Sequence, residues 1–148
     1  MGNKSYNPEM HTTEHILNQT MGRLFNIDRS FSMHLERKKS KCDYHAERDL
    51  TEDEKSELEI KVNETIKDNL EVKEEFISKE NAFAKFNLTR LPDESGDEIR
   101  IIKVGDYDAC PCIGEHVSNT SEIGEFRLVS SSFNEGVLRI RFKLNRNI

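Results

Sequence analysis

Residues 125–144 read EFRLVSSSFNEGVLRIRFKL and decide the class of fold. In the second half of this stretch every other residue is apolar: Leu138, Ile140, Phe142 and Leu144. A period of two is typical of a strand with one buried face. A strand over 125–130 and a turn containing Asn134-Glu-Gly136 precede this segment, which predicts an antiparallel β-hairpin.

Two helices are predicted from caps and periodicity. Asn7 is suited to cap a helix that has Pro8 at its first position and runs to about Phe25. Further along, residues 51–54 form a capping box, Thr-Glu-Asp-Glu. Apolar residues follow the box at a spacing of four: Leu58, Val62, Ile66 and Leu70. This spacing predicts a second helix with one buried stripe and a charged outer face.

Shorter segments predict the remaining strands. Residues 31–36 and 41–45 suggest two strands joined by a basic turn, and 71–77 and 99–104 suggest two more. Strands of this kind combined with helices indicate an α+β fold, a mainly antiparallel sheet packed on helices. We expect one domain over 1–148, with residues 1–6 as a flexible tail.

Composition narrows the class of protein. Hydrophobic residues are 34% of the chain, enough for a core, and no run approaches the roughly 18 apolar residues that a membrane span needs. The net charge of −6 argues against a broad nucleic-acid-binding surface, so any RNA contact must be local. Two stretches offer cations: Arg37, Lys38, Lys39 and Lys41, and then Arg139, Arg141, Lys143 and Arg146.

The cysteines indicate a reducing compartment. There are three, Cys42, Cys110 and Cys112, and the Cys110-Pro-Cys112 spacing is too tight for an ordinary structural disulfide. Free or metal-binding thiols are typical of the cytoplasm. Because the N-terminal residues also lack the apolar segment of a secretion signal, we expect a cytoplasmic protein without membrane attachment.

The first candidate site lies on the first predicted helix. His11 and His15 are four residues apart, so both imidazoles would project from one side, and Asn18 shares that face. The face is polar and is expected to be sterically open. Taken alone, such a pair is more typical of a polar helix face than of a metal site.

A second pair changes this interpretation. Cys112 and His116 are also four apart, in a turn that contains Pro111 and Gly114 and follows a strand. Zinc binds thiolate and neutral imidazole in near-tetrahedral geometry, and two pairs from distant segments would supply a complete set of ligands. The sequence therefore predicts paired HxxxH and CxxxH motifs for one zinc ion (Zn2+). Neither pair specifies a function.

The residues around the two pairs resemble a known family. HTTEH followed by Ile-Leu at 11–17, and CIGEHVSNTSEIGEF at 112–126, are similar to the motifs of the second additional (editing) domain of alanyl- and threonyl-tRNA synthetases. The order of the motifs and their separation of about a hundred residues agree. Because the chain begins at the first motif and stops after the hairpin, it resembles the short, free-standing AlaX-type editing proteins.

The resemblance implies a zinc site and an activity. The ligands would be His11, His15, Cys112 and His116, and the reaction would be hydrolysis of a mischarged aminoacyl-tRNA, with seryl-tRNA for alanine as the leading substrate. The acceptor end of tRNA is the implied partner, and no protein partner is inferred. The family commonly has Cys-Gly-Gly-Thr-His, whereas this chain has Ile113 and Glu115, a change that could alter substrate choice or abolish the reaction.

Further residues are candidates for the chemistry around the site. Glu14 and Glu115 each neighbour a ligand and could act as general base or accept a hydrogen bond from an imidazole. The alternatives are a solvated helix carboxylate for Glu14 and an exposed turn residue for Glu115. Asn18 could bind a substrate amine or hydroxyl. Three lysines could grip phosphates, or could only form a solvated turn: Lys38, Lys39 and Lys41.

Two other functions remain open from the sequence. His11-x-x-Glu14-His15 also matches the HxxEH pattern of a class of zinc peptidases, although Cys112 would be an unusual ligand for such an enzyme. The second alternative is a non-catalytic module, in which closed zinc coordination only stabilises the fold of a tRNA-binding protein.

Overall fold

The structure, a computed structural model, describes residues 7–81, 98–112 and 114–145. The predicted tail at 1–6 and two residues noted in the sequence, Ile113 and Arg146, lie outside these ranges. The elements in chain order are α1 (Pro8–Phe25), β1 (Ser32–His34), β2 (Ser40–His45), α2 (Glu52–Lys67), β3 (Val72–Ser78), β4 (Glu98–Val104), β5 (Asp108–Pro111), a 3-10 helix (Thr120–Glu122), β6 (Glu125–Asn134) and β7 (Val137–Asn145).

Helix α1 begins and ends where its caps predict. The Asn7 side chain accepts hydrogen bonds from the backbone N–H groups of Glu9 and Met10, and Asn26 ends the helix in a left-handed conformation with φ of 59°. The expectation of an open polar face is wrong, because His15 and Asn18 are as buried as the apolar residues of the helix. Helix α1 is a central element, packed on more than one side.

Helix α2 follows the predicted capping box. Thr51 accepts from the N–H of Glu54, while the Glu54 carboxylate accepts from the N–H of Thr51. Its apolar stripe is buried at Leu58, Val62 and Ile66. The two helices pack on each other, and α2 packs on β6 of the larger sheet.

The larger sheet has the strand order β1-β2-β7-β6, and every neighbouring pair is antiparallel. The predicted C-terminal hairpin is confirmed as β6 and β7, with β6 reaching Asn134 and a bulge between Leu128 and Ser130. Its inward residues belong to the same core cluster as the buried residues of the two helices: Cys42, Tyr44, Phe126, Leu138, Ile140 and Phe142.

A second sheet, of order β3-β4-β5, was not predicted as a separate unit. The predicted turn that contains Pro111 and Gly114 is wrong at its start, because Pro111 is the last residue of a short edge strand, Asp108–Pro111, paired with β4. A four-residue strand ending in proline gives too little alternation to be recognised, and proline is tolerated only at such edges. The α+β class is confirmed, with two antiparallel sheets in place of one.

The smaller sheet also lies against α1. Helix α1 contacts β4 and β5, while its apolar residues Leu17 and Met21 belong to the core shared with the larger sheet. The residues that follow β5 therefore come to lie beside the N-terminal turns of α1. Within the described ranges, no helix is long and apolar enough to cross a membrane.

Candidate metal centre

The four predicted ligands converge on one point. His11 and His15 project from successive turns of α1, Cys112 follows β5, and His116 lies in the segment that leads to the 3-10 helix. One ligand atom from each residue lies within 4.8 Å of all the others. The Cys112 Sγ is 3.3 Å from Nε2 of His11 and 3.4 Å from Nε2 of His116.

The two sulfur–nitrogen distances fit a tetrahedral zinc site. With metal–nitrogen and metal–sulfur bonds of about 2.0 and 2.3 Å and tetrahedral angles, the sulfur and nitrogen ligands are about 3.5 Å apart. The two observed sulfur–nitrogen separations agree with that edge length. Three imidazoles and one thiolate are also a donor set that zinc prefers.

The imidazole rings pack closely enough to leave little freedom. The His11 and His116 rings are stacked with centroids 4.5 Å apart, and the His15 ring stands edge-on to His116 at 4.6 Å. Gly114 lies against the His11 ring so closely that a Cβ at that position would overlap its atoms. Glycine is therefore needed at position 114 for His11 to stay where it is.

Asp108 orients His15. Its Oδ2 lies 3.3 Å from Nδ1 of His15, which leaves Nε2 directed at the other ligands. Arg29 donates to both carboxylate oxygens of Asp108, at 2.8 and 3.2 Å, and Gln19 donates at 2.8 Å. Although burial would raise the pKa of Asp108, His15 and Arg29 hold that pKa well below its usual range. Asp108 is thus a permanent anion behind the ligand.

Thr12 plays the corresponding part for His116. The Thr12 Oγ1 lies 3.1 Å from Nδ1 of His116 and accepts from the N–H of Val117 at 3.1 Å. The other ring nitrogen, Nε2, is the one that faces Cys112. Burial, together with the neighbouring imidazoles, lowers the pKa of His116 to about 4, so this ring is neutral near pH 7.

Cys112 is held as a thiolate. Burial opposes ionisation, but hydrogen bonds from His11, His116 and His15 hold its pKa well below the usual value for a thiol. The N–H of Gly114 also points at the sulfur, at 3.4 Å. A thiolate is the form of cysteine that binds metal ions. By contrast, burial raises the pKa of the neighbouring Cys110 to about 12, and all three cysteines are free.

Glu14 belongs to a buried polar network next to the ligands. It is only 3% exposed, so the alternative of a solvated carboxylate is wrong. Its Oε2 accepts from Asn18 Nδ2 at 2.5 Å and from Ser30 Oγ at 3.3 Å, while its Oε1 lies 4.0 Å from Nε2 of His15. The Asn18 Oδ1 accepts from the Tyr44 hydroxyl at 2.7 Å. A carboxylate is therefore fixed close to His15, one of the four ligands.

The other predicted site residues lie outside this cluster. Glu115 is exposed beside His116. Lys38 and Lys39 are in the exposed turn between β1 and β2, and Lys41 is on β2, opposite Arg141 of β7. Their roles in binding or catalysis stay predictions.

The residues that support the ligands were not predicted from the sequence. Asp108 had a weak signal, an acidic residue four positions before Cys112. Arg29 and Thr12 had none, because each acts on a partner far along the chain: Asp108 is 79 positions from Arg29, and His116 is 104 positions from Thr12. Gly114 was noted only as a turn residue.

Comparison with known proteins links this geometry to a family. Residues 99–141 match the family described as the threonyl and alanyl tRNA synthetase second additional domain. The chain is 31% identical over 133 residues to alanine–tRNA ligase of Pseudoalteromonas translucida, a match covering 88% of the chain and 15% of the ligase. For the ligase of Fervidobacterium nodosum the identity is 33% over 132 residues, covering 88% and 15%.

A smaller relative has a name that describes its role. The alanyl-tRNA editing protein AlaX-L of Pyrococcus horikoshii is 32% identical over 123 residues, which cover 83% of the chain and 30% of that protein. The chain thus spans less than a third of the length of these relatives. In class it resembles the second additional domain of the synthetases. More particularly, it is a protein similar to the alanyl-tRNA editing domain, which confirms the resemblance predicted from the sequence.

Proposed function

We propose that the protein is a zinc-dependent hydrolase that removes wrongly attached amino acids from tRNA, with seryl-tRNA for alanine as its leading substrate. The observation that carries this proposal is the convergence of His11, His15, Cys112 and His116 within 4.8 Å. These four residues belong to a chain that is similar to alanine–tRNA ligases and to an alanyl-tRNA editing protein.

The bond to be cut is the ester between the amino acid and the terminal ribose. When bound, zinc would polarise the ester carbonyl or lower the pKa of a water molecule towards 7. Either role needs an open coordination position. His11 and His15 are buried, whereas His116 is partly exposed and held by one hydroxyl, that of Thr12. We infer that His116 is the ligand that yields its place to substrate.

The two glutamates are suited to different tasks. Glu115 is exposed beside His116, where it can accept a proton from a water molecule that enters from solvent. Glu14 is bonded to Asn18 and Ser30 in the interior, where its negative charge would balance a positively charged metal centre. Asn18 would reach a substrate amine only by giving up one of its bonds to Glu14 or Tyr44.

The remaining proposals concern partner and setting. Lys38, Lys39 and Lys41 would hold phosphates of the acceptor end, since such contacts position an RNA without reacting. Residues 1–148 would act as one editing-like domain, which the core shared by α1, α2 and the larger sheet supports. Three free cysteines support a reducing, cytoplasmic setting.

A panel of charged tRNAs tests this function. Purified protein would be incubated with seryl-, glycyl- and alanyl-tRNA for alanine and with seryl-tRNA for threonine, and the loss of labelled amino acid would be followed. We expect the fastest release from seryl-tRNA for alanine, little from the correctly charged alanyl-tRNA, and none with Cys112→Ser. Release from no charged tRNA by zinc-loaded protein would overturn the proposal.

A non-catalytic zinc module is the second candidate, and one observation favours it. The four residues are enough to fill the four positions of a closed site, as in structural zinc sites. Tightly held zinc with no exchangeable water, together with no hydrolysis of any charged tRNA, would establish this alternative. A zinc peptidase fits less well, since Glu14 is bonded inside the protein; Glu14→Gln would abolish a peptidase.

A further inference from the structure

The outer face of the larger sheet brings together the two basic stretches of the sequence. The outward residues at the centre of this sheet are called the basic face: Lys41, Asp43, Arg139, Arg141 and Lys143. Lys41 is the cross-strand partner of Arg141, and Asp43 is the partner of Arg139. Because side chains alternate along a strand, all five lie on the side opposite the helices.

Most of the positive charge on this face is not neutralised. Arg139 is paired with Asp43 through two hydrogen bonds of 2.7 and 2.9 Å. Within the described ranges, Lys41, Arg141 and Lys143 form no ion pair. The turn that precedes β2 adds more cations, including Lys38 and Lys39. A local excess of cations on a chain of net charge −6 indicates a surface for a polyanion.

An exposed aromatic pair borders the basic face. The rings of Phe31 and His45 are stacked, with centroids 4.1 Å apart and planes within 14° of each other. His45 is on β2, two residues beyond Asp43, and therefore on the same face. Phe31 is 41% exposed, a large fraction for a phenylalanine side chain. Stacked, exposed rings are suited to receive an unpaired base.

This aromatic pair is connected to the metal centre by the residues just before it. Ser30, next to Phe31 in the chain, donates to Glu14, whose other carboxylate oxygen is 4.0 Å from Nε2 of His15. Arg29 binds Asp108, which in turn holds His15. The segment 29–31 therefore leads from the outer face of the sheet to the ligands.

We propose that this face binds the single-stranded 3′ end of tRNA, with phosphates on Lys41, Arg141 and Lys143 and a base on the Phe31–His45 pair. From Lys41 to His45 the strand measures ~13 Å, enough for a short run of nucleotides. The inference rests on the proposed function, because tRNA is chosen as the polyanion only if the metal centre hydrolyses charged tRNA. It names the surface on which that substrate lies.

The test uses uncharged tRNA for alanine and a short single-stranded RNA with the sequence of its 3′ end as probes. Binding of each to the full chain would be measured by fluorescence anisotropy at several salt concentrations. The test variant is Arg141→Gln with Lys143→Gln. The matched control is Lys73→Gln with Lys103→Gln, an equal charge change on the smaller sheet, where both lysines are paired with glutamates.

We expect the test variant to bind both probes about tenfold more weakly. The slope of log affinity against log salt should fall by about 0.7 for each phosphate that the variant no longer neutralises. The control should bind like the unchanged protein. Phe31→Leu should lower affinity for the single strand by about 5- to 100-fold, the usual effect of removing one stacked base. Zinc content and melting temperature of each variant show whether it is folded.

Equal affinity in test variant and unchanged protein, or equal weakening in test variant and control, would overturn the inference. Binding here is measured without hydrolysis, so the two proposals fail separately. If the protein deacylates charged tRNA but its RNA binding does not depend on the basic face, the proposed function is supported and the inference is wrong. Binding that depends on the face, in a protein that hydrolyses no charged tRNA, would support the inference and remove the function.

Discussion

The carboxylate of Asp108 lies 3.3 Å from Nδ1 of His15, and this contact determines which nitrogen of the imidazole faces the other ligands. Metal-binding histidines commonly have such a carboxylate behind them, and its removal typically lowers metal affinity. In this chain Arg29 and Gln19 fix the carboxylate in turn. The orientation of one ligand therefore depends on residues from α1, the segment before β1, and β5.

The first prediction concerns that contact. Asp108→Asn should weaken zinc binding by about 10- to 100-fold, because the amide is a poorer acceptor and no longer fixes the ring. Competition with a chromophoric chelator measures the affinity. Asp106→Asn is the matched control, since Asp106 is exposed in the turn before β5. Unchanged affinity in the Asp108 variant would mean that His15 needs no support.

The second prediction concerns the thiolate ligand. The purified protein should carry about one equivalent of zinc and lose it when Cys112 is replaced by Ser, since a hydroxyl does not ionise as the thiol does. Cys110→Ser is the control, because that neighbouring thiol is outside the group of four ligands. Elemental analysis that finds the same zinc in all three proteins would contradict the assignment of Cys112.

The third prediction follows from the packing of Gly114. Gly114→Ala should displace the His11 ring and lower both zinc content and melting temperature, because the added methyl group would overlap the ring. Gly22→Ala should be tolerated, since a Cβ there meets its nearest neighbour at 3.5 Å, an ordinary contact, within a helix. If the two variants bind zinc equally well, the close approach of Gly114 to His11 is not a constraint.

The fourth prediction separates two roles of Glu115. If it is the general base, Glu115→Gln should reduce deacylation by roughly 10²- to 10⁴-fold at unchanged zinc content. If it only forms the pocket wall, Glu115→Thr should preserve the rate and shift the preference between serine and smaller amino acids. Rates on the panel of charged tRNAs decide between them. Full activity and unchanged preference in both variants would exclude either role.

The fifth prediction concerns the turn before β2. Replacing Lys38, Lys39 and Lys41 with Ala should weaken tRNA binding modestly and reduce its dependence on salt, because fewer phosphates are neutralised. Anisotropy at several salt concentrations measures both quantities. Lys55→Ala with Lys67→Ala on α2 provides a control for general charge. Unaltered affinity in the triple variant would make the turn a solvated loop.

The sequence was most informative where a local rule applies. Caps at Asn7 and Thr51 predicted where α1 and α2 begin, and alternation predicted the hairpin of β6 and β7. The short strand β5 has too few residues for a period to appear and ends in proline, so a single sheet was predicted in place of two. Local sequence patterns predict individual helices and strands, whereas the division of the strands into sheets depends on pairing between distant segments.

The candidate site divides in the same way. The spacing of four in each ligand pair predicted four residues that the structure brings together. Asp108, Arg29 and Thr12 act through contacts between distant parts of the chain, and no periodicity marks such contacts. The burial of Glu14 was also hidden, because a charged residue on a helix is ordinarily at the surface.

The position of the ligands also bears on how the molecule holds together. Two of them belong to α1, which shares its core with the larger sheet, and two follow β5 of the smaller sheet. Among the described residues, the apolar cluster of the smaller sheet has Ile99 and Ile101 as its buried members. A bound ion would connect α1 to the smaller sheet, which has the smaller apolar core of the two. Because metal-binding free energy is then also folding free energy, the smaller sheet would be the first to loosen under a chelator.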